Sequence, residues 1–316
     1  MAHTGIARFK ALDAAFRARA RRGDKLYARF AALATLNAPQ DIETLIEQTF
    51  EARSAIDQGL GAWRSPGGAM RLVFAAALVA SNRKPVDFFK MRKALLERRK
   101  ERGARSLSHG GSCAALALVA AGGQPWQVDM FYDVLDAIAA PWWRRDASRE
   151  EMLAASLTVM GETASDAAGH LSRARDALMT AGVPKSHAEA AAFEVALTRI
   201  DPASLAGAWT SLNIAVRGRN ELRHGIGQTG LAVLAAQGDG AAIADALVNA
   251  FDVLGQLKPK PDNQTAARLA MRLAQAQAGK ATPIAAAGDL AAILAAQAAM
   301  VAAITAATTA AVVAGT

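Results

Sequence analysis

Two stretches 115 residues apart share one pattern. HGGSCAALALVAAGGQP runs from His109 to Pro125, and HGIGQTGLAVLAAQGDG from His224 to Gly240. His-Gly aligns with His-Gly, LALVAA with LAVLAA, and Gly123 with the breaking Gly238. GGAMRLVFAAALVAS, SREEMLAASLTVMGE and SHAEAAAFEVALTRI follow the same scheme. The matching apolar positions are Leu78, Leu118, Leu157, Val195 and Val233, at spacings of 40, 39, 38 and 38, and one more step of 38 reaches Met271.

Each copy is followed by a short break (NRKP, GGQP, GETAS, IDPAS, QGDG) and then by a second segment with apolar residues three and four apart. Leu205, Trp209, Leu212 and Ala215 show that spacing, which places one stripe of a helix against a core. Pro85, Pro125 and Pro202 open three of these second segments, where proline suits a helix start. A helix–turn–helix unit recurring every 37–40 residues predicts an all-α fold, an α-solenoid of two-helix repeats. Residues 63–282 hold five to six such pairs. Residues 1–62 read as an N-terminal basic helical cap, and 283–316 as an alanine-rich C-terminal helix.

Composition agrees. Hydrophobic residues make up 52% of the 316 and charged ones 20%, enough apolar surface for a sizeable core. Alanine dominates nearly every segment and loses no side-chain entropy on entering a helix, whereas alternating β-branched runs are nearly absent. The single cysteine, Cys113, excludes an intramolecular disulfide framework and a multi-cysteine zinc site.

The repeat bears on the chemistry. GIGQTG fits the dinucleotide-binding G-x-G-x-x-G, but that fingerprint needs a strand before it, and AVRGRNELRH reads as helix. Gly225, Gly227 and Gly230 are instead expected to permit a tight inter-repeat turn and close helix packing. His109, His187 and His224 recur at repeat starts and so form a row about 10 Å apart, too wide for one metal, and read as turn or capping residues. His109 and Cys113 lie four apart, the least a thiolate–imidazole pair requires, yet SCAALALVA reads as packing. No cofactor, metal or catalytic residue is expected.

Charge is uneven. The net +8 divides into 21 Lys/Arg against 10 Asp/Glu in residues 1–105, leaving 15 against 18 in the remainder. The densest basic run, KMRKALLERRKERGAR, puts Phe88, Met91, Leu95 and Leu96 on a buried side. Arg92, Lys93, Arg98, Arg99 and Arg102 then form a candidate anionic-ligand or partner surface, and the basic residues 83–105 a candidate nucleic-acid contact. Trp142 and Trp143 after Pro141 are candidate interface anchors, and Trp209 a candidate pocket-lining residue. Asp129 and Asp133 share a second helix with no spacing rule to join them.

The N-terminus lacks a continuous apolar run for a signal peptide. Its Arg-rich amphipathic pattern reads as a surface helix in a cytoplasmic protein. The last 27 residues, from Leu290, carry no side-chain charge and exceed the roughly 20 needed to cross a bilayer. Alanine, Gln297, Thr305, Thr308 and Thr309 weaken such a span. Leu290, Leu294, Val301 and Ile304 share a seam suited to docking or self-association.

SLSH before a small-residue helix and the ending AAILAAQAAMVAAITAATTAAVV resemble an uncharacterised bacterial all-helical family of unknown function. The likeness covers the second half of the chain. The repeat also looks like the two-helix solenoids that include HEAT-type repeats. That resemblance implies a non-enzymatic scaffold or adaptor holding a protein partner. Its alternative is a duplex nucleic-acid binder of the helical-repeat glycosylase kind, and a tail-anchored membrane protein is a third reading.

Overall fold

The computed structural model describes residues 2–61, 68–140, 147–196, 198, 202–237 and 239–278. Among these there are fourteen α-helices and no strand. They are α1 (Ala2–Arg19), α2 (Lys25–Ala34), α3 (Ile42–Leu60), α4 (Gly68–Ala80), α5 (Pro85–Arg102), α6 (Ser112–Ala120) and α7 (Val128–Ile138). The remainder are α8 (Ala147–Val159), α9 (Ala164–Thr180), α10 (Lys185–Val195), α11 (Pro202–Ala215), α12 (Asn220–Ala235), α13 (Gly240–Gly255) and α14 (Asn263–Ala278).

Local chemistry sets many of the ends. Asp41, Thr163 and Asp239 accept backbone N–H groups at the starts of α3, α9 and α13, satisfying donors that a first turn leaves open. Asp262 does the same for α14, accepting from the Thr265 amide at 2.9 Å. Pro85 opens α5, and Gly103, at φ 60°, closes it in the left-handed conformation that glycine adopts without steric cost.

The helices fall into two layers. Even-numbered helices pack on one another in order, and each odd-numbered helix packs on the even-numbered helix that follows it. The sequence dictates which layer a helix joins. From Ser112 to Val119 every residue of α6 is buried, so a helix made of small and apolar residues all round can sit among neighbours on every side. In α7, Val128, Phe131, Tyr132, Val134, Leu135 and Ile138 are buried while Asp129, Asp133 and Asp136 face outward. The five repeat positions Leu78, Leu118, Leu157, Val195 and Val233 lie on successive inner helices and are all buried, as is Met271 on α14.

The ends of the repeat meet. Helix α14 packs against both α1 and α2. Arg17 donates to the Lys258 carbonyl at 2.9 Å and Arg29 to the Pro259 carbonyl, while Asp13 holds Arg29 at 3.5 Å. The described helices therefore form a closed circuit of seven hairpins, where periodicity alone suggests an open superhelix with a free concave face. The segment expected as a cap, residues 1–62, supplies α1, α2 and α3, which continue the two layers and close them.

The glycines of GIGQTG lie within α12, not in the inter-repeat turn expected for them. Gly227 (φ 70°, ψ 170°) kinks the helix, and no strand precedes it. Gly225 and Gly230 face α14, where an added Cβ at Gly225 would lie 2.4 Å from the Ala267 Cβ and one at Gly230 3.0 Å from the Met271 sulfur. The close-packing half of the expectation is what the structure shows. Among the described residues, no helix is long and apolar enough to cross a membrane. The uncharged tail from Leu290 lies outside the described residues, as do Trp142 and Trp143.

Candidate functional site

The basic stripe of α5 meets an acidic stripe on α7. Arg98 ion-pairs with Asp129, and with Glu101 at 2.7 Å. Arg102 reaches Asp133 at 2.6 Å and Asp129 at 3.3 Å, and lies over the buried Tyr132 ring. Hydrogen bonding to Arg98 holds the Asp129 carboxyl below its usual range. Of the other arginines, Arg92 donates to the Gly110 carbonyl and the Ser112 hydroxyl, each at 3.1 Å, and Arg99 donates to Ser106 at 3.1 Å. Lys93 lies 3.7 Å from Glu97. Within the surface expected to meet an anionic ligand, Arg98 and Arg102 thus form a clasp between neighbouring outer helices. Arg98, Arg102 and Lys93 already have carboxylate partners, and Asp129 and Asp133, with no rule to join them in sequence, meet on Arg102. Trp209 sits half-buried against the core on α11, away from this pairing.

The second expected reading, a structural Cys113, agrees with its surroundings. It is buried on α6, where desolvation and then the nearby Glu151 push its thiol up to about 12, which disfavours the thiolate. His109 takes a left-handed conformation (φ 46°) ahead of Gly110 and Gly111, the turn role expected for it, and burial lowers its pKa. His187 Nδ1 lies 3.1 Å from the Thr229 hydroxyl, and His224 is exposed. No group of three or more metal-ligating side chains occurs among the described residues.

Sequence reasoning missed two buried carboxylates at the start of α8. Glu150 pairs with Arg105 at 2.7 Å and accepts from the Ala140 amide at 3.1 Å. Glu151 accepts from the backbone N–H and the hydroxyl of Ser108, each at 2.6 Å. Burial nonetheless pushes Glu151 up to about 7 from its ordinary 4.5, outweighing Ser108 and Arg105, which favour the charged form. A carboxyl whose folded pKa is raised contributes stability that is full below its unfolded pKa and lost as pH rises through the folded one. We therefore expect stability to fall between pH 5 and pH 8 by about 2–3 kcal/mol from this group, taking roughly 1.4 kcal/mol per pKa unit. Glu151→Gln should flatten that fall in urea titrations across the range. An unchanged slope in the variant would remove Glu151 as its cause.

Sequence reasoning also missed a group of arginines inside the circuit. Arg272 on α14 pairs with Glu194 on α10 at 3.0 Å and donates to the Gln275 side-chain oxygen at 2.7 Å. Arg149 on α8 approaches the same carboxylate at 3.8 Å. Helix α12 stands between α10 and α14 in the inner layer, so a contact joining α10 directly to α14 runs across the inward side. Arg268 lies one turn before Arg272. Burial first, then the charges of Arg149 and Arg272, lower its pKa.

Two exposed apolar side chains stand on neighbouring elements of the outer surface. Trp126 is 77% exposed, in the 3-10 turn Pro125–Gln127 ahead of α7, and Val86 is 49% exposed in the first turn of α5, against which that turn packs. The turn is fixed on both sides of the indole. Gln127 accepts from the Gln124 amide at 2.8 Å and donates to the Thr158 carbonyl at 3.3 Å. The available signal was a tryptophan just after a helix-starting proline, outside the apolar register of the helix it precedes. A shallow, open cleft between α1 and α3 is lined by Arg19 together with Glu43 and Glu47, one cation against two carboxylates.

No protein-family model matches this chain, and no characterised protein or solved structure is significantly similar to it.

Proposed function

We propose that this chain is a non-enzymatic helical-repeat scaffold that holds a protein partner on the edge formed by Trp126 and Val86. The observation that carries this reading is an almost fully exposed tryptophan presented by a hydrogen-bonded turn. A backbone turn already held in place lowers the ordering cost of docking, and tryptophan is among the residue types most enriched as energetic anchors of interfaces. In this reading the protein works in the cytoplasm.

The test compares partners captured from native lysate by the tagged wild type and by Trp126→Ser, with and without nuclease. A partner recovered with the wild type, insensitive to nuclease and lost with Trp126→Ser supports the reading. Equal capture by both forms overturns the assigned edge. Capture that disappears with nuclease turns the assignment to the duplex nucleic-acid alternative. That alternative further requires affinity retained near physiological salt and lost when Arg92, Lys93, Arg98 and Arg99 are replaced together. The carboxylate partners of Arg98 and Arg102 argue for weak, salt-sensitive binding instead.

A further inference from the structure

We infer that the arginines on the inward side of the helical circuit form a binding site for a phosphate group, free or carried as a small monoester. On α14, Arg268, Arg272 and Gln275 follow one another at steps of four and three, which puts them on one face. Arg149 from α8 and Glu194 from α10 complete the group.

The unmet hydrogen-bonding capacity here consists of donors. Arg272 and Gln275 are 5% and 3% exposed, and within them Arg272 Nε and Gln275 Nε2 are buried without a hydrogen-bond partner among the described residues. The Arg268 side chain makes no hydrogen bond or ion pair among the described residues, although two guanidinium groups lie within Coulombic reach of it. Buried donors ordinarily find partners, and like charges in a partly desolvated space raise each other's energy.

Two carboxylates stand nearby. Glu194 is engaged by both Arg149 and Arg272. Asp262, which reaches Arg268 only through its field, is hydrogen-bonded to the Thr265 amide and hydroxyl as the cap of α14. A ligand completing this arrangement must bring acceptors and negative charge. A phosphate group offers both in the geometry that guanidinium forks and an amide can surround. Arg149 and Arg268 keep partial solvent contact, so an anion can reach them.

The test uses the full chain and inorganic phosphate, with sodium chloride adjusted to constant ionic strength. We expect a saturable rise in melting temperature in phosphate, absent in chloride alone. Arg268→Gln should weaken the half-saturating concentration about tenfold or more, as expected for losing a charge-assisted contact. Without phosphate, Arg268→Gln should melt at or above the wild-type temperature, because it removes repulsion and breaks no pair. A purely structural role for Arg268 predicts a lower melting temperature. No rise in the wild type, or the same rise in Arg268→Gln, overturns the proposal.

Glycerol phosphate in a parallel arm separates the sources. Tighter binding of the ester assigns the site to a phosphomonoester, and tighter binding of inorganic phosphate to the free ion. Equal stabilisation by acetate overturns the choice of phosphate. Should Arg268→Gln fail to fold, phosphorus NMR of inorganic phosphate with the wild type decides. Line broadening that the ester competes away supports the site, and its absence overturns it.

Discussion

Replacing Glu194 with alanine is expected to destabilise the protein by about 3–5 kcal/mol, the usual consequence of removing one partner from a buried ion pair. The Glu194 and Arg272 side chains are only 7% and 5% exposed, so water solvates neither charge well where it stands. Losing the carboxylate leaves Arg272 with the Gln275 oxygen as its remaining acceptor, beside Arg149 and Arg268. Glu194→Gln should cost less, because an amide oxygen still accepts from Arg272. Replacing Glu194 and Arg272 together by leucine should cost less than Glu194→Ala, since no uncompensated charge then remains. Urea unfolding midpoints at unchanged slope measure all three. A Glu194→Ala loss below 1 kcal/mol would show that the pair is solvated or dispensable.

The contrast with what the sequence revealed is instructive. Leu78, Leu118, Leu157, Val195 and Val233 were legible because burial of an inner helix is written locally, as a run of apolar and small residues between breaks. The layer a helix joins was legible for the same reason. Closure was not. Periodicity identifies the repeating pair but leaves open the small rotation between successive pairs, and the sum of those rotations decides whether α14 reaches α1 and α2.

Charge pairing was hidden in a similar way. Arg98 and Arg102 meet Asp129 and Asp133 from 31 residues away, on neighbouring outer helices. A count of basic and acidic residues by segment therefore sees two opposite faces where the fold makes one clasp. Arg272 and Glu194, 78 residues apart, become neighbours only across the inward side of the circuit. Trp126 carries no decisive local signature, because a lone aromatic after a helix-starting proline has the same sequence whether its ring packs inward or stands in solvent.

The second large effect concerns the helix that carries GIGQTG. Gly225→Val is expected to destabilise the protein by about 3 kcal/mol or more, at or above the upper end of ordinary overpacking. On helical propensity alone, Gly225→Ala should stabilise, since glycine is about 1 kcal/mol worse than alanine inside a helix. The packing reverses that sign. A Cβ at Gly225 would lie 2.4 Å from the Ala267 Cβ and 3.2 Å from the Asn263 carbonyl oxygen, atoms held close to the backbone of α14 with no rotamer to yield. Only separation of α12 from α14 relieves the contact, and α14 also packs on α1 and α2, so the strain passes to the closing seam. Ala267→Gly should therefore rescue much of the loss in Gly225→Ala while costing stability on its own, a coupling that a double-mutant cycle isolates. If Gly225→Ala proves neutral or stabilising, α12 and α14 are not in the close contact described, and the motif's glycines lose their packing explanation. If both Gly225 variants lose stability and Ala267→Gly restores the smaller one, Gly225 is explained by the approach of two inner helices, as Gly230 is by its place against Met271, while Gly227 serves the kink at φ 70°, with no phosphate-binding turn required at that position.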